Sequence, residues 1–363
     1  MKKIYFTVTN DLTYDQRMHR ICSTLANNGY KVILIGVHKP SSAVLKKELF
    51  KQKRIRCFFQ KGKWFYREYN IRLLLYMLVK KMDAVCAIDL DTILPCLLIS
   101  KIKNIPRIYD AHELFTGLKE VITRPHIKKK WEKIEKYSVP KFKHGYAASQ
   151  GITQEFFKRY SVGYETIRNL PTLKQLGTIQ ANEKFIIYQG AVNEGRCFEY
   201  IVPAMKMIDL PLIVCGDGNF MPQLKTLVRI HQLEDKIKIK GMLSPEELWK
   251  ISQQATIGIS LTEKEGLNQQ FALPNRLFDY IQAAVPQITM NLPEYARINK
   301  QYEIAVLIDD LSPEHIAKSV NNLLSDTVLY NRLKENCLKA RLDLNWQHEE
   351  KKLLAFYKSV FDS

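Results

Sequence analysis

What this 363-residue chain lacks narrows it first. Its cysteines, Cys22, Cys57, Cys86, Cys96, Cys197, Cys215 and Cys337, are scattered, odd in number and never spaced C-x-x-C. Neither a disulfide framework nor a zinc site is expected, but reduced, buried thiols of a cytosolic protein. The longest uncharged apolar run of the basic N-terminal region, "LLLYMLV" at 73–79, falls far short of the ~20 residues that cross a bilayer. The opening "MKKIYFTVTND" has two lysines but only a brief apolar stretch, so it reads as a first strand and not as a signal peptide. No short-period repeat, low-complexity tract, RNP motif or C2H2 motif is present, and no nucleic-acid partner is expected. Residues 151–363 lack a charge excess altogether, with 25 Lys and Arg against 25 Asp and Glu.

The net charge of +18 therefore lies entirely in residues 1–150, where 30 Lys and Arg face 12 Asp and Glu. Two halves with different partners are implied. Within the basic half, "KQKRIRCFFQKGKWFYREYNIRLLLYMLVKK" (51–81) interleaves cations with Phe58, Phe59, Trp64, Phe65, Tyr66 and Tyr69. A second basic stretch, "RPHIKKKWEKIEKY" (124–137), carries Trp131. Cations among aromatics suit RNA or an anionic membrane surface, or else the aromatics are core and the lysines solvated; without nucleic-acid motifs the membrane is preferred, which implies a cytoplasmic protein peripheral to the inner face of the plasma membrane.

What is present otherwise is ordinary for a soluble protein, 46% apolar and 25% charged, and long enough for two domains. Strands are expected at 2–9, 31–37, 83–89, 107–113 and 144–149, separated by helical stretches. After a polar linker at 167–184 the pattern restarts, with strands at 185–190, 210–218, 236–242, 256–261, 286–291 and 304–309, then two helices. "SPEELWKISQQA" carries a capping box, with Ser244 as N-cap, Pro245 at N1 and Glu247 at N3. This alternation predicts two doubly wound parallel sheets, which bind ligands beyond the carboxyl ends of their strands.

Those ends supply the candidate residues. In the second half, "YQGAVNEGR" offers Gly190, Gly195 and Arg196, and "VCGDG" offers Gly216 and Gly218. "EGLNQQFALPNRLFDY" then leads into a helix bearing Asn275, Arg276 and Asp279. Close-approach glycines, a helix start and fixed guanidinium charge suit a diphosphate, and an acid one turn on suits ribose hydroxyls. In the first half, "YDAHELF" places His112 and Glu113 after a strand, suited to hydrogen bonding with a sugar or to proton transfer. "TNDLTYDQR" adds Asn10, Asp11, Asp15 and Arg17, and "DLDT" adds Asp89, as polar loops on the acceptor side or simply as helix caps.

These motifs, in this order along nearly the whole chain, resemble the GT-B glycosyltransferases of the glycosyl transferases group 1 family, the retaining group with an E-x7-E signature. The resemblance implies two Rossmann-like domains facing across a cleft. Residues 1–170 would bind the acceptor, joined by a crossover helix at about 346–363, and residues 171–345 would bind the donor. It implies retaining transfer without a metal or other cofactor. The donor would be a nucleotide sugar, a UDP- or GDP-sugar first, and the acceptor an envelope glycan or lipid-linked glycan. By the same resemblance Arg196 and Arg276 hold the diphosphate, Asp279 takes the place of the second signature acid on the ribose, and His112 lies beside the transferred sugar. The first signature acid is missing, because Phe271 stands eight residues before Asp279. Glu265, Asn268 and the Gly266–Leu267 backbone are the candidates to hold the sugar's hydroxyls instead. Ala284 also stands where the family has glycine in "AAVP". The alternatives are a nucleotide-sugar epimerase or phosphorylase on the same fold, or a degenerate transferase serving as a binding module.

Overall fold

The computed structural model describes residues 1–177 and 183–362. Part of the expected linker, residues 178–182, lies outside the described residues. The chain divides into two compact units. Unit 1 comprises Met1–Asn169, Gly266–Ala272 and the residues from Glu349 on, and unit 2 comprises Leu170–Glu265 and Leu273–His348.

Unit 1 is built on seven strands: β1 (Lys3–Thr7), β2 (Lys31–His38), β3 (Lys51–Arg56), β4 (Ala84–Ile88), β5 (Arg107–Ala111), β6 (His144–Ala147) and β7 (Glu165–Thr166). All pair in parallel, in the order β3-β2-β1-β4-β5-β6-β7. The central strands are buried on both faces, and this is why they read as unbroken apolar runs. Strand β3 went unread within the basic stretch 51–81. It lies at the sheet edge with only Ile55 buried, so "KQKRIR" carries no apolar pattern. Phe65 and Tyr69 of that stretch are core residues and not interfacial aromatics, whereas Phe58, Phe59 and Trp64 are exposed.

Unit 2 repeats the plan with β8 (Ile186–Gln189), β9 (Leu212–Cys215), β10 (Ile237–Gly241), β11 (Ile257–Ser260), β12 (Gln287–Met290) and β13 (Ala305–Ile308). The order is β10-β9-β8-β11-β12-β13, again parallel. Both units are thus Rossmann-like, each with its strand order reversing beside its first strand. The capping box at Ser244 and Glu247 is present. Three described helices follow β13 where two were expected: Pro313–Ser325, Thr327–Asp343 and Trp346–Asp362. All seven cysteines are buried and unpaired.

The division differs from the expected one, residues 1–170 with a crossover helix at about 346–363 against 171–345, chiefly in the segment Gly266–Ala272. The chain leaves unit 2 after Glu265, forms the short helix Leu267–Phe271 within unit 1, and returns at Leu273. Three contacts fix this strap. Phe271 packs on the unit 1 core. Buried Asn268 accepts a hydrogen bond from the Leu114 N–H through Oδ1 at 2.8 Å. Gly266 has φ +85, and a Cβ there would lie 2.8 Å from the Gly117 carbonyl oxygen, so only glycine fits. The last helix likewise contributes its first residues to unit 2 and the rest to unit 1, where Tyr357 meets Tyr146 with hydroxyls 3.2 Å apart.

Candidate functional site

In unit 1 the chemistry gathers at the carboxyl ends of β4 and β5. Asp110, in β5, is fully buried. It accepts a hydrogen bond from Arg17 Nη2 at 2.8 Å, and its other oxygen lies 3.5 Å from His112 Nε2. Arg17 therefore does not stand on an acceptor loop. It is in the first turn of helix Gln16–Asn27, buried, with Nη1 donating to the Ile167 carbonyl at 2.9 Å. Burial opposes the charge on Arg17, but Asp110 outweighs it and raises the pKa. Burial pushes the Asp110 carboxyl up, yet Arg17 and His112 hold it below the usual carboxylate range. Burial likewise opposes His112 protonation, and the nearby Asp110 carboxylate overcomes that to raise its pKa to about 9. The row Arg17–Asp110–His112 is cation, anion, cation. A fifth of the His112 side chain remains accessible.

Asp89 braces the same histidine from β4. Its Oδ1 accepts from the His112 N–H at 2.9 Å and the Glu113 N–H at 3.3 Å. It adopts φ +54 with ψ 179, a conformation that strains any residue with a Cβ. Burial pushes its carboxyl up to about 8. Asp91, which accepts from Thr9 Oγ1, is pushed up by burial to about 6. The loop after β1 is held together by its own side chains. Asp15 caps the helix at Met18 N, 3.0 Å away, and Asn10 Nδ2 donates to it at 2.6 Å. Asp11 accepts from Thr13 N and Ser42 Oγ. Glu113 is exposed.

In unit 2 three strand-end loops interlock. Gly190 N donates to the Cys215 carbonyl, Val192 N to Asp217, and Phe220 N to Val192, joining the loops after β8 and β9. A Cβ at Gly216, which has φ +145, would lie 1.9 Å from the Gly190 carbonyl oxygen. A Cβ at Gly218 would lie 2.3 Å from Asn193 Oδ1 and from the Val192 carbonyl oxygen. The Gly195 carbonyl accepts from Glu263 N at 3.1 Å and Thr262 Oγ1 at 3.2 Å, which adds the loop after β11. The expected convergence of three strand ends is therefore a hydrogen-bonded fact of this unit.

Helix Asn275–Gln282 begins after Pro274 with no side-chain cap. Arg276, in its first turn, is only 5% exposed. Its guanidinium carbon lies 4.7 Å from the Tyr188 ring centroid, and its Nε has no hydrogen-bond partner. Burial opposes its charge, yet Tyr188, Tyr295 and Tyr280 raise its pKa. No carboxylate pairs with it among the described residues. Arg196, partly buried, approaches the same Tyr295 and Cys197 that Arg276 does. Asp279 accepts from Gln189 Nε2 at 3.1 Å, and Gln189 Oε1 in turn accepts from Ser252 Oγ at 2.7 Å. Asn275, Glu265 and Leu267 are exposed; Leu267 and Asn268 belong to the unit 1 strap and Glu265 to unit 2.

Sequence reasoning missed Asp110, Gln189, Tyr188 and Tyr295. Asp110 was visible as an acid inside the apolar strand "RIYDA", and Gln189 as an amide ending "FIIYQ". Nothing in the sequence marked Tyr188 or Tyr295 as Arg276 neighbours, because that contact depends on the packing of β8 and helix Pro293–Tyr302. Among the described residues no group of three or more His, Cys, Asp or Glu is placed to hold a metal ion. No described helix is long and apolar enough to cross a membrane.

Comparison with known proteins follows the same division. No curated protein matches the chain. Solved structures resemble it over its whole length at low identity. Sucrose-phosphate synthase from Thermosynechococcus elongatus aligns with TM-score 0.84 and 14% identity, covering 100% of each chain. Anabaena Alr3699/HepE in complex with UDP and glucose aligns with TM-score 0.79 and 11% identity, covering 99% of this chain and 100% of the other. WaaG, a glycosyltransferase involved in lipopolysaccharide biosynthesis, aligns with TM-score 0.70 and 13% identity over 96% and 98% of the two chains. These likenesses establish the GT-B fold. Residues 171–340 match the family model described as Glycosyl transferases group 1. The chain is a glycosyltransferase enzyme whose second unit carries a glycosyl transferases group 1 domain.

Proposed function

We propose that the enzyme transfers a glycosyl group from a nucleoside diphosphate sugar, a UDP-sugar first, to an envelope glycan or lipid-linked acceptor, with retention and without a metal ion. One observation carries the donor class. Arg276 is a buried guanidinium with no carboxylate partner, at an uncapped helix start. An uncompensated buried charge costs several kcal/mol, and a diphosphate would supply the missing anion. Arg196 adds a second cation on the same tyrosine, and Gly190, at φ +114 with open space beside its Cα, allows close backbone approach. Asp279, held by Gln189, accepts ribose hydroxyls. As the bond from the anomeric carbon to phosphate breaks, negative charge grows on the departing diphosphate, where these cations stabilise it.

Unit 1 supplies His112. With its pKa near 9 the imidazole is protonated at neutral pH, so it serves as a hydrogen-bond donor to a sugar hydroxyl and not as a base. Support for a UDP-sugar is that HepE, of the same fold, has been solved with UDP and glucose. The envelope acceptor follows the lipopolysaccharide role of WaaG. A thermal-shift panel of UDP-, GDP-, ADP- and dTDP-sugars, followed by product analysis with the stabilising labelled donor, tests this. Stabilisation by one nucleotide class and glycosyl transfer with retained anomeric configuration are expected. Epimerised or phosphorolysed donor, or no stabilisation by any nucleotide, would contradict it.

A further inference from the structure

We infer that unit 1 carries a docking surface for an anionic phospholipid bilayer, formed by two neighbouring helices and a cationic groove at the sheet edge. The inference rests on the proposed function, takes its lipid-linked form of the acceptor, and adds which surface meets the lipid. Helix Gly62–Leu78 buries Phe65, Tyr69, Leu73 and Met77, one residue every four, as a core-facing stripe should. Its other side should be polar, but Trp64, Ile71 and Leu75 are 50–58% exposed, and Val79 just beyond the helix is more so. Helix Ile93–Lys103 packs against it and repeats the anomaly, exposing Leu94, Leu98 and Ile102 at four-residue spacing. Phe59 stacks on Trp64 with ring centroids 6.1 Å apart, and neighbouring Phe58 is among the most exposed side chains described.

Charge selects the occupant. Residues 51–81 carry ten Lys and Arg against the single acid Glu68. Lys63 and Arg67 lie over the Trp64 ring, and Lys80 lies over Tyr76. Beside them opens a groove of about 670 Å³ lined by Lys53, Arg56, His38 and Arg72, with Leu75 and Tyr76 on its wall. Arg54 also lines it but spends its donors on the Asp11 carbonyl and Thr13 Oγ1, and Arg72 shares its charge with Glu68. Lys53 and Arg56 are left as the cations for a lipid phosphate. Leu75 belongs to both the groove and the apolar stripe, so a headgroup in the groove sets its acyl chains beside the exposed leucines. A second copy is a poor occupant, because two such faces would bring like charge together. Nucleic acid is a poor one too, since Ile71, Leu75, Leu98 and Ile102 cannot stack on bases.

The test is co-sedimentation of the full chain with phosphatidylglycerol/phosphatidylcholine vesicles and with phosphatidylcholine alone. Thermal stability and UDP binding are read in parallel, so that loss of nucleotide binding marks failure of the donor reading alone. Wild type should sediment with the anionic vesicles, weaken as salt rises, and ignore the neutral ones. Lys53→Glu with Arg56→Glu, and separately Leu75→Glu with Leu98→Glu, should each weaken binding at least about tenfold with stability and UDP binding unchanged. Undiminished sedimentation of both variants overturns the inference, as does failure of wild type to bind anionic vesicles. A concentration-dependent dimer without lipid that Leu75→Glu dissolves also overturns it, assigning the face to a second copy.

Discussion

The two units share one strand order and place a buried arginine near the carboxyl ends of their central strands, but they treat that charge in opposite ways. In unit 1 Arg17 meets Asp110, and Asp110 meets His112, so every charge in the row has an opposite neighbour. In unit 2 Arg276 meets tyrosines and no carboxylate. The first arrangement is complete in itself, and its product is the orientation and protonation of one histidine. The second has no carboxylate among the described residues, and under the proposed function the donor diphosphate supplies the anion. The same fold therefore buries one arginine against a carboxylate and another against tyrosines, and the proposed function makes the second a ligand group.

Removing the shared acid of unit 1 should have the largest effect. Asp110→Ala leaves Arg17 and His112 buried without their anion and should destabilise unit 1 by about 3–5 kcal/mol in urea unfolding. Arg276→Leu should behave in the opposite sense. It should leave apo stability unchanged or raised, while UDP affinity measured by calorimetry falls roughly 10–100-fold. If instead both substitutions destabilise alike, the contrast between the units is broken.

A pH series sharpens the comparison. His112 is raised from 6.5 to about 9, so its contribution is fully present below 6.5 and is lost as pH rises through 9. Asp89 is raised from 3.8 to about 8, so its contribution is lost progressively from pH 3.8 up through 8, because the unfolded chain ionises first. Both signs agree, and wild-type stability should fall between about pH 6.5 and 9. Asp89→Asn, which cannot ionise, should flatten the part of that fall below pH 8. The smallest effect concerns Ala284. It sits at φ +56 after helix Asn275–Gln282, where Val285 N closes the turn onto the Tyr280 carbonyl. Relief of left-handed strain should let Ala284→Gly raise Tm, by up to about 1 kcal/mol of stability, although glycine also loosens the unfolded chain.

Much of this was legible in the sequence. Apolar runs gave the buried strands, turn glycines marked their ends, and "YDAHELF" and "NRLFDY" marked strand-end and helix-start positions where His112 and Arg276 are found. What was not legible depends on tertiary placement. "KQKRIR" forms a strand only because β2 offers an open edge. "GLNQQFA" reads as a loop of the second unit, yet Asn268 is buried in the first and Phe271 packs, partly buried, on its core. The aromatic ring at position 271 is an anchor of the strap. Arg276 reads as a phosphate grip, and no local pattern could show that it is buried over Tyr188.

The most direct test of the central claim is isothermal titration of UDP into wild type and Arg276→Leu, alongside urea unfolding of both apo proteins. The account predicts that wild type binds UDP, that the variant binds it roughly 10–100-fold more weakly, and that the apo variant is at least as stable as wild type. Equal UDP affinity, or an apo variant several kcal/mol less stable, would show that Arg276 is a structural residue and contradict the account.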